Sequence, residues 1–235
     1  MRGRDVLVLP QTSRRKLLLG NESAEWCICP DELTCQSVVY SFGVGEDISF
    51  DLELISRFGV VVHAFDPTPR AVDWLKSQKL PPQFIFHELG IAEFDGSATF
   101  NPPLNPKHVS YAVVARPGGN HASAVDAPVR TLRTIMSTLG HRQVDLLKMD
   151  IEGSEYGALR DIVQQRLPVK QLLVEFHHRW PEIGIAKTKE AIRILNEAGY
   201  QIFDVAPSGA EYSFLSVVSG ENATSSQGFR EEHHQ

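Results

Sequence analysis

Basic clusters, membrane-length apolar runs, paired cysteines and internal repeats are all missing from this 235-residue sequence. Its formal net charge is −6, and no Lys/Arg block is long enough to grip a phosphate backbone or an anionic bilayer. Nucleic acid and membrane surfaces are therefore not expected partners. No apolar run approaches the roughly 18 residues of a spanning helix. The opening MRGRDVLVLPQTSRRKLLLG is broken by Pro10, Arg14, Arg15 and Lys16, so it does not read as a signal peptide. Three cysteines, Cys27, Cys29 and Cys35, form no CxxC pair, and their odd count argues for reduced thiols in a cytoplasmic setting. No tight ligand spacing marks a metal site, and none is expected.

What is present is ordinary globular composition, 42% hydrophobic and 22% charged, enough for one sizeable core. From residue 37 onward, β-rich apolar runs alternate with helical patterns. The runs are SVVYSFGV (37–44), VVVHAFD (60–66), FIFHELGI (84–91), VDLLKMDI (144–151), QLLVEFHH (171–178), YQIFDV (200–205) and YSFLSVV (212–218). The first five are nearly continuous in apolar character, which predicts a parallel sheet covered by helices on both faces. Ile48, Leu52 and Ile55 predict a helix that stops before Gly59. Tyr156, Leu159, Val163 and Leu167 predict another that stops before Pro168, and Ala191, Leu195 and Ala198 a third that ends at Gly199. Only APSGAE separates the last two strands, a hairpin signal.

Residues 37–219 thus read as one α/β domain. Its sheet is Rossmann-like, mostly parallel and seven-stranded, and ends in a C-terminal antiparallel hairpin. Residues 92–130, rich in Pro, Gly and Asn, break the alternation and read as a long inserted loop. Residues 1–36 form an extension in which only AEWCICP is expected to pack. Residues 220–235 read as a polar, frayed tail.

The first strand runs into Gly43 and Gly45, then Glu46 and Asp47. In an open α/β sheet a ligand binds beyond the carboxyl ends of the strands, where the strand order reverses, and the first glycine turn usually lies there. Such a turn also occurs with no ligand. Asp66, at the end of the second strand and 23 residues after Gly43, sits where an acid holds a ribose diol. In DPTP the same residue also reads as a helix cap. A dinucleotide fold wants a third glycine where this chain has Ile48, and carboxylates at a helix start repel a pyrophosphate. They tolerate a cation. S-adenosylmethionine, an adenosine with a sulfonium and an ammonium but no phosphate, satisfies both conditions.

The stretch VDLLKMDIEGSEYGALRDIV places Asp150, Glu152, Gly153 and Glu155 at the end of the fourth strand. Three acids in six residues need water, a cation or hydrogen-bond donors. DLLKMDIEGSEYGAL resembles the signature of the FkbM-type methyltransferase family. YSFGVGEDISFD, HAFDPTP, HELGIAEFDGSATF and LLVEFHHRW resemble its other blocks in order, and WCICP with VYSFGVGED is similar to the methyltransferase-24-like branch.

The resemblance implies a class I methyltransferase fold, S-adenosyl-L-methionine as donor and a hydroxyl acceptor on a sugar (glycan) or small metabolite. It further implies that Gly43, Gly45 and Glu46 line the donor's methionine end and that Asp66 holds the ribose. Leu89, Gly90 and Ile91 would flank the adenine, and Asp150 would face the reacting methyl. Many class I enzymes place an acid two residues before the first glycine. Here that position is Ser41, so the donor's amino group must be held otherwise.

Methyl transfer is an in-line displacement that needs aligned reactants, and a hydroxyl acceptor must shed a proton. Glu175 and His177 alternate onto one face at the end of the fifth strand. His177 is the expected base and Glu175 its orienting partner, with His108 and His121 as further candidates. The competing readings are an NAD-linked oxidoreductase, which Ile48 opposes, and a nucleoside-binding module without turnover.

Overall fold

A computed structural model describes residues 6, 8–22, 24–103, 111–113 and 123–217. His108, His121 and the tail 220–235 lie outside the described residues. In chain order the strands and helices are β1 (Leu17–Leu19), β2 (Trp26–Ile28), β3 (Val38–Phe42), α1 (Ser49–Phe58), β4 (Val61–Phe65), α2 (Pro69–Lys76), β5 (Phe84–His87), β6 (Gly90–Ile91), β7 (Gly96–Phe100) and β8 (Val125–Arg130). There follow α3 (Leu132–Leu139), β9 (Val144–Met149), α4 (Glu155–Gln164), β10 (Val169–Glu175), α5 (Gly184–Glu197), β11 (Tyr200–Val205) and β12 (Glu211–Ser216).

Seven strands make the main sheet in the order β11-β12-β10-β9-β3-β4-β5. The pairs β3–β4, β3–β9, β4–β5 and β9–β10 are parallel, and β12 is wedged antiparallel between β10 and β11. All seven are the strands expected from the apolar runs. The order reverses between β3 and β9, since the chain leaves β3 toward β4 and β5, then returns to build outward from β9.

Continuous apolar sequence is explained by cover on both faces. Leu132, Ile135 and Met136 of α3, Leu159 and Ile162 of α4, and Ile192 and Leu195 of α5 share one apolar core. On the other side Leu54 and Ile55 of α1, Leu75 of α2 and Leu19, Trp26 and Ile28 of the first two strands share a second. Helix α1 stops because Gly59 takes a left-handed φ of 67° and closes on the Ile55 carbonyl.

Three expectations are corrected. The run 84–91 is not one strand: β5 ends at His87, and Gly90–Ile91 joins a separate sheet of order β6-β8-β7. Residues 92–130 therefore contain two strands rather than a plain loop. Their buried positions, Ala98, Phe100, Ala127 and Val129, form a small core of their own. The N-terminal extension packs well beyond AEWCICP. Leu17–Leu19 pairs antiparallel with Trp26–Ile28, and the buried Gln171 side chain docks the hairpin. Gln171 accepts from Cys29 N–H at 2.9 Å and returns a bond to the Cys29 carbonyl at 2.9 Å. Ser213 Oγ donates to the Cys27 carbonyl at 2.7 Å.

Candidate functional site

The carboxyl ends of β3 and β9 meet at the reversal point. Asp150 N–H donates to the Phe42 carbonyl at 3.1 Å and Gly43 N–H to the Phe65 carbonyl at 2.9 Å. Gly43 has φ 72°, and a Cβ there would lie 1.7 Å from the Asp150 carbonyl oxygen. Its glycine is thus demanded by the close approach of the β9 backbone. Gly45, at φ 54°, donates its N–H to Asp66 Oδ2 at 3.0 Å. Asp66 Oδ1 accepts from Thr68 N–H at 2.9 Å and Thr68 Oγ1 at 2.6 Å. One nearly buried carboxylate thereby ties the glycine turn to the start of α2, and burial raises its pKa. The cap position of α2 is Thr68 and no side chain caps the helix, so the capping role read in DPTP is replaced by a turn ahead of it.

Above these ends lies a cavity of about 700 Å³, in the range of small-molecule sites. Gly43, Gly45, Glu46, Asp66, Gly90, Ile91, Asp150 and Glu175 all line it. Leu89 does not; it turns into the main core. Among the described residues of the wall, ten carry carboxyl groups and one, Lys148, an amine. Glu46 is balanced by Arg70 in a two-pronged pair, Nε–Oε1 2.8 Å and Nη2–Oε2 3.2 Å. The hairpin contributes Glu22, Ala24, Glu25 and Trp26 to the wall.

Lys148 is 6% exposed. Its Nζ donates to the Gly43 carbonyl at 3.2 Å and stands 5.1 Å over the Trp26 ring, a cation–π contact. Asp51, in the first turn of α1, is 2% exposed, and burial pushes its pKa up to about 6. Ser41 lies close enough to oppose that rise, yet Ser41 Oγ and Asp51 Oδ1 make no hydrogen bond within distance and angle. Neither Asp51 nor Lys148 was assigned a role from sequence. A signal existed: Asp51 falls in helical phase with Leu54, Ile55 and Phe58, an acid on the face that a core helix keeps apolar.

The opposite wall is built by the turn after β9. Glu152, at φ 52°, and Gly153, at φ 93°, turn the chain into α4. A left-handed non-glycine residue costs about 1–2 kcal/mol, strain of the kind that collects at functional sites. Glu155, fully buried, folds back to accept Gly153 N–H at 2.8 Å and His177 N–H at 3.0 Å. The His177 ring has Nδ1 3.3 Å from Glu155 Oε1, and Nε2 3.3 Å from Glu152 Oε2 and 3.8 Å from Asp150 Oδ1. Burial alone would lower its pKa, but Glu155, Glu152 and Asp150 together push it up to about 10.

His177 is therefore a cation at neutral pH, the reverse of what the expected general base requires, and it stands behind the cavity wall. Glu175 is pushed up to about 8 by burial and by the Asp150 carboxylate, which favours its protonated form. Asp150 Oδ1 is buried and makes no hydrogen bond. Asp150, Glu175 and His177 each place a ligand atom within 4.8 Å of the others, so folding supplies a cation-sized spacing that is invisible in sequence.

Over the glycine turn this wall offers little positive charge to hold a phosphate. A strand wedged antiparallel beside the last parallel one departs from the dinucleotide-binding sheet and fits a Rossmann-like methyltransferase fold. The chain belongs to the FkbM methyltransferase family: residues 37–202 match the description "Methyltransferase FkbM domain". It is 27% identical over 177 residues to a Rattus norvegicus protein named "Probable methyltransferase-like protein 24", covering 71% of this chain and 42% of that protein. The Homo sapiens protein of the same name is 26% identical over 178 residues, with the same coverage. The chain thus spans less than half the length of these curated relatives. No helix among the described residues is long and apolar enough to cross a membrane.

Proposed function

We propose that this chain transfers the methyl group of S-adenosylmethionine to a hydroxyl on a sugar or another small metabolite. One observation carries the reading: among the described residues, the cavity at the sheet's reversal point is lined by ten that bear carboxyl groups and a single amine. A dinucleotide's pyrophosphate is repelled there, while a ligand with a sulfonium and an ammonium is favoured. Asp51 Oδ1, buried in the cavity wall and without a hydrogen bond, is an acceptor such a ligand would satisfy. Bound, S-adenosylmethionine supplies an electrophilic methyl on a positively charged sulfur.

The chain's residues divide the remaining work. Gly43, Gly45 and Asp66 shape the adenosyl side, where Asp66 retains lone pairs for a ribose diol beside its three internal bonds. Gly90 and Ile91 flank the base, and the neutralised Glu46–Arg70 pair frames the turn. Asp150 takes the acceptor's proton: its carboxylate stands 3.8 Å from the His177 ring and beside Glu175, which burial pushes toward its neutral, hydrogen-bond-donating form. His177 is a positioning residue that holds Glu152, Asp150 and Glu155 in one arrangement. Three unpaired thiols, two of them buried, support a reducing, cytoplasmic setting.

Calorimetric titration with S-adenosylmethionine and with NADH tests the donor. The expected outcome is micromolar binding of the first and none of the second; the reverse overturns the reading. Methyl-labelled donor incubated with the protein and a cell extract then identifies the acceptor by what becomes labelled.

A further inference from the structure

We infer that Asp51 and Lys148 form the seat for the donor's α-amino-acid end, Asp51 receiving the ammonium and Lys148 the carboxylate. The inference rests on the reading of S-adenosylmethionine as donor and names residues that reading leaves unassigned. Position 41, two residues before the first glycine, is a serine, so strand β3 brings no acid to this corner. The acid comes instead from the helix. Asp51 rises from the first turn of α1 beside Ser41, lines the cavity, and has an oxygen with no donor.

Leaving a buried carboxylate oxygen unsatisfied costs several kcal/mol, so its persistence in a ligand cavity points to a donor that arrives from outside. Lys148 cannot fill that role by hydrogen bonding as placed. Its Nζ is drawn to the Gly43 carbonyl and the Trp26 ring, and no bond to Asp51 forms. It nonetheless retains N–H groups for a carboxylate. Ser41 and Lys148 are register partners on β3 and β9, so these groups occupy one face of the sheet at one level. A fixed carboxylate and a fixed ammonium side by side complement an amino-acid zwitterion in charge, without adding net charge to the corner.

The test compares ligands that differ only at this end. S-adenosylhomocysteine carries the zwitterion, 5′-methylthioadenosine lacks it, and the deaminated homocysteine analogue lacks the ammonium alone. Calorimetry on the unaltered protein should show S-adenosylhomocysteine binding at least about tenfold tighter than either of the others, the scale of one charged hydrogen bond. Asp51→Asn and Lys148→Met should each weaken S-adenosylhomocysteine by about tenfold or more and leave methylthioadenosine unchanged.

Equal affinity of the unaltered protein for S-adenosylhomocysteine and its deaminated analogue overturns the seat while leaving the donor assignment standing. That comparison needs no variant to fold. Binding of none of the three adenosyl ligands overturns both.

Discussion

Replacing Gly43 with alanine probes the junction on which the site is built. At φ 72° a side-chain-bearing residue costs about 1–2 kcal/mol. The new Cβ would also fall 1.7 Å from the Asp150 carbonyl oxygen and 2.8 Å from its carbon. Those atoms are backbone locked between β3 and β10, so relief requires parting the sheet at its reversal point, an overpacking cost of about 1–3 kcal/mol. The sum is a loss of about 2–5 kcal/mol.

Gly157 of α4 supplies the contrast. Its Cβ would meet Glu93 Oε2 at 1.5 Å, which is nominally worse, but that atom is the tip of an exposed, flexible side chain, and the backbone is helical. Glu93 can swing away, and alanine in a helix interior is worth about 0.5–1 kcal/mol over glycine. Urea titrations should therefore move the Gly43→Ala midpoint down sharply and the Gly157→Ala midpoint little or upward. The Gly43 variant should also lose donor affinity, because Asp150 moves with its carbonyl. A Gly43→Ala protein with the unaltered midpoint, or a Gly157→Ala protein that falls as far, would refute the reasoning.

Stability should decline as pH rises above neutrality. Below about pH 6.5 buried His63, held down to about 4, sheds its proton on folding and offsets Glu175; above it the native state keeps protons on Glu175 up to about 8 and on His177 up to about 10 that the unfolded state has released. Midpoints recorded from pH 7 to 10 should drop steadily, and His177→Gln should flatten the upper part; a rise toward pH 10 contradicts the assignment. Chelation with EDTA should leave methyl transfer unchanged, because His177 already supplies the compensating positive charge; activity lost to EDTA and restored by Mg²⁺ or Mn²⁺ would show that a metal is required. A chain beginning at residue 37 loses Leu19, Trp26 and Ile28 from the core, each worth about 2–5 kcal/mol, and should fail to fold. A cooperative melt of that fragment would show the hairpin to be dispensable.

Much of this architecture was legible because doubly covered strands leave an unmistakable trace. Every residue of β9 is buried, and its sequence shows it. The smaller sheet was not legible, because β6 has two residues, too few for any period. In β7 and β8 the buried residues include Ala98 and Ala127, which carry little hydrophobic signal, and Pro128 argues against a strand. Helix α1 ends before Gly59 as its spacing predicts, but its inward face is only partly legible. Leu52 is exposed at 37%, while Asp51 faces inward because a cavity, not core, awaits it. Glycines 43 and 45 and the acids at 66, 150 and 175 were visible as strand-end residues. The charged state of His177 was not, since it depends on Glu152 and Glu155 coming back across a left-handed turn.

The lopsided charge of the enclosure has a kinetic corollary. With the proposed donor, attraction is strongest while the guest is a sulfonium; once the methyl departs, sulfur is a neutral thioether and the same carboxylates hold it less tightly. The spent molecule should leave readily, and inhibition by accumulated product should be mild, deepening as salt screens the advantage of the fresh one.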